Sequence, residues 1–363
     1  MATAPRTFAA KIGGVSIEAR GPLSEAVLSV LGAAEGDDEQ AVECLSGLVR
    51  QAVSVEDPVR DDDIQLALFL MYAISYGSLD QVGAQWEWDP RLIVARTAIE
   101  RVCESALRAQ ISMLDTPRAR AADVAEALFD MTRPTPGPNL ARFIARQADV
   151  AQAREYLALH SIYTLREADA HSWTIPRLTG RTKAAMLEIQ ADEYGGGDPQ
   201  RVHQVMYGRT LRGAGLDDAY GRYVDAAPEI TLAAFNVMTM FGMNRRLRGA
   251  AVGHLAAFEM TSSIPCRFVA EGLRRVGFGD EVAEYYDDHV EADAVHEQIA
   301  ARDLAGALAE DEPELLPDIL FGAAACLAVE GWAADDIFEK RKSGDSALRE
   351  SDVARAIRGG ASA

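Results

Sequence analysis

The sequence predicts an all-α protein, a bundle of packed helices with almost no sheet. Three observations carry that expectation. The composition is 48% hydrophobic but only 7% aromatic, with abundant alanine, which favours helix. Apolar residues recur at helical spacing along most of the chain after Pro134. Strand and helix patterns do not alternate, and there is no Gly-x-Gly-x-x-Gly after a strand, no phosphate-binding loop and no internal repeat.

With 363 residues, the chain can bury a large core as one big domain or as a domain with a smaller partner. Its net charge of -20 argues against binding a phosphate backbone or an anionic membrane surface. The longest apolar runs, 66–74 and 319–329, are short for a bilayer. The opening Met1-Ala2-Thr3-Ala4-Pro5-Arg6 lacks a signal-peptide apolar core. Cys44, Cys103, Cys266 and Cys326 are scattered, indicating neither a zinc knuckle nor a disulfide framework. The expectation is a soluble, cytoplasmic protein without nucleic-acid or membrane partners.

Residues 8–21 contain Gly13-Gly14 between short apolar stretches and predict a small hairpin. Helical periodicity begins near Ser24. Asp61-Asp62-Asp63 sets negative charge at the start of an apolar helix over 64–76, where it suits the helix dipole. Asp89-Pro90 is an N-cap and first turn for a helix running to about Ile111. The Pro-rich stretch 134–138 is the clearest punctuation. Helices are predicted beyond it over 139–169, 178–194, 199–213, 228–261, 264–275, 279–306 and 312–333. The charged, small-residue tail 340–363 predicts little order. The expected domains are an N-terminal helical extension over 1–134, a helical domain over 135–335 and a charged tail over 336–363. Trp86, Trp88 and Trp173 are expected to fill the core.

The most informative feature is His289-Val290-Glu291-Ala292-Asp293-Ala294-Val295-His296. His289, Asp293 and His296 stand at i, i+4 and i+7, within about 60° of one another on one helix face. Imidazole, carboxylate, imidazole suits iron, manganese or zinc. The blander reading is a solvated acidic face, so the partners decide. A helix carrying Glu193 ends at Gly195-Gly196-Gly197, and Asp198-Pro199 would start another carrying His203. That break can fold the chain back and bring Glu193 and His203 together. Glu259 sits in the apolar run 255–260, where an ionised carboxylate needs either a cation or a salt bridge with Arg245, Arg246 or Arg248. Glu167 is a further candidate. Four carboxylates beside three neutral imidazoles balance two divalent ions better than one.

This set, with Asp192-Glu193-Tyr194-Gly195 and His289-x3-Asp293-x2-His296 as its most specific parts, resembles the heme-oxygenase-like diiron oxidases, the iron-containing redox enzyme family. The likeness covers roughly 140–335. It implies a heme-oxygenase-like helical bundle preceded by a helical extension, with Glu167, Glu193, His203, Glu259, His289, Asp293 and His296 as metal ligands. It implies two Fe(II) ions, with manganese as an alternative, and dioxygen as co-substrate. The implied activity oxidises a small organic substrate by N-hydroxylation or oxidative carbon–carbon cleavage, with an electron donor and a homodimer as candidate partners. The expected grouping sets His203, Glu193 and Glu259 at one iron and His289 and Asp293 at the other, with His296 completing the first or bridging. A metal-free helical scaffold of the same fold is the alternative. Ferritin-like bundles need two Glu-x-x-His motifs and zinc proteases His-Glu-x-x-His, and the chain has neither. Heme ligation by His160 or His171 would leave the stripe unexplained. His254 is a candidate neighbour of the site or an ordinary core histidine.

Overall fold

The computed structural model describes residues 10–12, 14–33, 39–112, 115–135 and 139–359. Helix dominates these residues, as the composition predicts. Lys11–Ile12 (β1) and Val15–Ser16 (β2) pair antiparallel as the predicted hairpin, and Leu79–Asp80 (β3) joins β1 on its other edge. β3 has no two-residue alternation long enough to announce itself in sequence.

The first helices are Pro22–Gly32 (α1), Glu39–Ala52 (α2), Asp62–Ser75 (α3) and Pro90–Gln110 (α4). Asp61 caps α3 by accepting from the Ile64 N–H at 2.8 Å, and Asp89 caps α4 through Arg91 N–H at 2.9 Å. Ala121–Met131 (α5) follows, and Leu140–Arg146 (α6), Val150–Thr164 (α7) and Glu167–Ser172 (α8) replace the single helix predicted over 139–169. The break before α7 is a capping box. Asp149 accepts from Gln152 N–H at 2.8 Å, and Gln152 accepts from Asp149 N–H at 3.0 Å.

Next come Gly180–Glu193 (α9), His203–Gly213 (α10), Glu229–Met243 (α11), Arg248–Arg275 (α12) and Asp280–Gln298 (α13). The helix predicted over 228–261 stops at Asn244, whose amide donates to Met240 O at 2.9 Å and to Glu100 Oε2 at 3.1 Å. The stop predicted before Pro265 does not occur; α12 runs through it. The hydroxyls before the proline are occupied. Thr261 Oγ1 donates to Ala257 O at 2.7 Å, and Ser263 Oγ to Val290 O at 3.3 Å. Packing against α13 therefore holds the turn that Pro265 weakens.

A π-helical segment, Ile299–Gly306, follows α13, then Ala307–Asp311 (α14), Leu316–Ser343 (α15) and Asp352–Gly359 (α16). The tail is thus more ordered than its composition predicts. Ile337, Ala347, Leu348, Val353, Ala354 and Ile357 are buried in the main core, and Arg341 inserts to pair with the buried Glu155. That core also takes in residues of α1 and α3, so the first third of the chain packs on the helices that follow. Trp86 is buried as expected, but Trp88 is 75% exposed. The four cysteines are free thiols.

α12 lies at the centre, against α6, α13 and α15. The approach of α12 to α15 is close enough to require glycine. A Cβ on Gly253 would stand 1.8 Å from Ile319 O, and one on Gly322 2.0 Å from Ala250 O. Among the described residues, Pro313–Ser343 is the one helix long and apolar enough to cross a membrane by length and composition. It is longer than the sequence run indicates, but more than half of its most apolar stretch is buried against neighbouring helices, as in a core helix.

Candidate metal centre

The site forms where the C-terminal end of α9, the start of α10, the middle of α12 and the inner face of α13 meet. Glu193 is the last residue of α9. Gly195, Gly196 and Gly197 then take φ values of +80°, +58° and +94°, a left-handed run that only glycine adopts cheaply. A Cβ on Gly195 would lie 2.7 Å from Val202 N, so the chain doubles back tightly there. The second helix begins at His203 rather than at Asp198-Pro199. Asp198 instead turns the chain by accepting from Gln200 N–H at 2.9 Å. The reversal leaves His203 Nδ1 only 2.8 Å from Glu193 Oε2.

On α13, His289, Asp293 and His296 all face inward and are 5%, 1% and 1% exposed. The solvated-face reading of the stripe therefore fails. Glu259 projects from α12 toward them, with Oε2 at 3.1 Å from His296 Nδ1. None of the three candidate arginines pairs with it: Arg246 binds Glu104 at 2.5 Å, and Arg248 binds Glu312. Glu167 opens α8, but its side chain lies outside the described residues.

Two sets of donor atoms converge within 4.8 Å of one another: Glu193 with His203 and His289, and Glu193 with Glu259 and His296. Glu193 belongs to both. This regroups the side chains relative to the sequence expectation, since the two histidines of the first set come from α10 and α13 and Glu259 falls in the second. Asp293 lies beside the second set, 3.7 Å from His296 Nδ1, and accepts from Ser262 Oγ at 2.5 Å.

Each imidazole is oriented by its outer nitrogen. His289 Nδ1 lies 2.8 Å from Tyr285 O, which turns Nε2 inward. His203 Nε2 lies 3.3 Å from Asp288 Oδ2, and His296 Nε2 lies 3.0 Å from Asp192 Oδ2. Carboxylates and carbonyls behind ligating histidines fix the tautomer and strengthen the donor. The sequence analysis gives Asp192 only as part of the turn motif, with no role of its own, and does not name Asp288. The available signal was adjacency, since each directly precedes a candidate ligand.

The electrostatics suit cations. Burial pushes the Glu259 carboxyl up to about 8, despite its hydrogen bond to His296. Burial also opposes the charge on His296, but Asp293 and Glu259 outweigh it and raise the imidazole to about 11. Glu193 is likewise disfavoured by burial, yet the adjacent His203 draws its carboxyl below the usual range. Without a metal, protons hold these buried acids and imidazoles together. Metal uptake at the site must displace those protons. Among the described residues, no lysine or arginine pairs with Glu193, Glu259 or Asp293. The donor set therefore fits divalent metal: hard and borderline ligands, buried, with no basic side chain competing.

A small cavity opens onto the centre. His171, Gln190, Leu255 and Phe258 line it together with Glu193 and Glu259. His171 Nε2 lies 3.2 Å from His254 Nδ1, so the two histidines form a buried pair beside the site. Burial holds His254 well below its ordinary value and keeps it neutral. His160 is instead bound to Tyr156 O, away from the centre.

Residues 154–331 match the model of a family described as iron-containing redox enzyme. That segment contains every one of the seven candidate ligands. No curated protein matches the chain. Over residues 154–331 the chain matches the iron-containing redox enzyme family, and the fold is the all-α, heme-oxygenase-like one. The family and the buried His/Glu groups indicate an iron oxidoreductase.

Proposed function

We propose that the protein is a non-heme diiron oxidase or oxygenase that uses dioxygen to oxidise a small organic substrate. The observation that carries this reading is the position of Glu193, shared by two sets of buried donors. A carboxylate so placed would be shared between two ions, with His203 and His289 holding one and Glu259 and His296 the other. Asp293, beside the second set, would complete it, and Glu167 is a further candidate ligand. Two ferrous ions bound there supply electrons for reducing dioxygen.

The remaining chemistry belongs to the chain. Asp288, Asp192 and Tyr285 O hold the three imidazoles as directed donors. Ser262 fixes one oxygen of Asp293, so the other is the one presented to His296. Leu255 and Phe258 keep one wall of the cavity apolar, limiting the water that competes with substrate. The localisation proposed is cytoplasmic, with an external electron donor restoring the ferrous state.

The test is oxygen consumption. Protein loaded with ferrous iron without oxygen and then mixed with oxygenated buffer is expected to consume dioxygen in proportion to protein, with an optical change faster than free ferrous iron gives. Uptake no faster than free iron, or a centre that accepts zinc alone at one equivalent, would overturn the proposal.

A further inference from the structure

Gln190 lies one turn before Glu193 on α9, so the two share a helix face. It is 2% exposed and belongs to the lining of the metal cavity. Placed with Oε1 on Ser172 Oγ, 3.0 Å away, its amide leaves Nε2 buried with no partner among the described residues. Oxygen and nitrogen fill nearly the same space, so the hydrogens of the surrounding network decide which end is which.

That network is short and its hydrogens can be counted. Asp169 is ion-paired with Arg166 at 2.8 Å, so its carboxylate only accepts. Tyr194 Oη lies 2.8 Å from Asp169 Oδ1 and donates its single hydrogen there. Ser172 Oγ, 3.0 Å from Tyr194 Oη, must then donate its own hydrogen to the phenol. With that hydrogen used, Ser172 can only accept from Gln190. The amide nitrogen therefore faces Ser172, and the carbonyl oxygen takes the buried, unpartnered position. The opposite arrangement would ask Ser172 to donate twice with one hydrogen. It would also bury an unpaired donor beside a centre suited to cations.

We infer that Gln190 turns its carbonyl oxygen into the metal cavity, as a neutral oxygen donor toward the metal held by Glu193, and that Asp169, Tyr194 and Ser172 fix that direction. Tyr194 is 41% exposed, so a phenol at the surface orients a buried group beside the centre. The direction of the amide belongs to the metal-free chain; its effect on iron rests on the diiron reading.

Two measurements test the pair of statements. In the full, metal-free chain labelled with 15N-glutamine, the Gln190 side-chain amide hydrogens, assigned through Gln190→Leu, should show nuclear Overhauser contacts to the Ser172 β-hydrogens. Contacts to the Phe258 ring and none to Ser172 would overturn the inference. Ferrous affinity, from anaerobic competition with a chelator, reads the consequence. Tyr194→Phe frees the Ser172 hydrogen, lets the amide turn over and should weaken iron binding about tenfold, the scale of an outer partner. In Gln190→Glu both ends are oxygen, so adding Tyr194→Phe to that variant should change affinity less than about twofold. Equal losses in both backgrounds, or no loss in either, would overturn the inference. Melting of each variant shows that it is folded. No iron uptake by the unsubstituted chain would count against the diiron reading instead, and the metal-free spectrum would still decide the direction of the amide.

Discussion

Glu193→Ala is expected to leave the folded chain unable to hold either iron. Its carboxylate is the one donor common to both sets, so on the proposed two-iron reading its removal takes a ligand from each ion. The loss should exceed the roughly 10–100-fold in metal affinity that removal of an outer partner such as Asp288 costs. Substitutions confined to one set should behave differently. His203→Ala weakens the ion it shares with His289, and Asp293→Ala weakens the one beside His296, each lowering iron content by about one ion per chain. Metal analysis after anaerobic loading and desalting separates these outcomes. The metal-free melting temperature should fall in Glu193→Ala, because His203, whose Nδ1 lies 2.8 Å from Glu193 Oε2, loses its buried partner. Two ions retained in Glu193→Ala would mean that Glu193 bridges nothing.

Gly322→Val is expected to be strongly destabilising in the helical core away from the centre. The added Cβ would sit 2.0 Å from Ala250 O and 2.6 Å from Ala250 Cα. Both are backbone atoms, so no side chain can swing aside and α12 must move away from α15. The cost should exceed the roughly 1–3 kcal/mol of ordinary overpacking, a fall in Tm of more than about 4 °C for a chain of this size. Gly331 on the same helix supplies the control. It has nothing within 4 Å of an added Cβ, so Gly331→Ala should be neutral or stabilise by up to about 1 kcal/mol. Thermal melts of the two variants check the pair. A mild effect at Gly322 would show that the helices are not held at the distance described. Because α12 also carries Glu259, iron binding in Gly322→Val should weaken in parallel with stability.

The sequence makes the inner face of α13 readable because three metal-binding side chains on one stripe are rare in a chain with six histidines. The glycine run after Glu193 is readable for a different reason, since three successive glycines leave few options but a reversal. What stayed hidden depends on atoms far apart in sequence. Nothing local to Glu259 says that His296, 37 residues on, rather than a nearby arginine, is its partner. The same holds for the His171–His254 pair, 83 residues apart, which places His171 on the wall of the metal cavity.

Helix boundaries were least legible where side chains compete with the backbone. Asp149 and Gln152 cut one apolar period in two by capping it, and Asp198 delays α10 to His203 by making a turn. Pro265 gave the opposite error, because tertiary packing of α12 on α13 outweighs the local preference to stop. The tail is a related case. Its charge suggests solvent, yet Arg341 finds the buried Glu155 on α7, and the small residues around it fill the remaining core. The π-helical segment after His296 leaves no compositional trace at all, although such turns recur beside functional sites.

The most direct measurement is an anaerobic titration of the intact, metal-free chain with ferrous iron, followed by Mössbauer spectroscopy of the oxidised sample. A paired, carboxylate-bridged centre predicts uptake that saturates at two ions per chain and a ferric signal from antiferromagnetically coupled irons. Saturation at one ion, or two magnetically independent irons, would contradict a shared Glu193 and with it the whole account of the site.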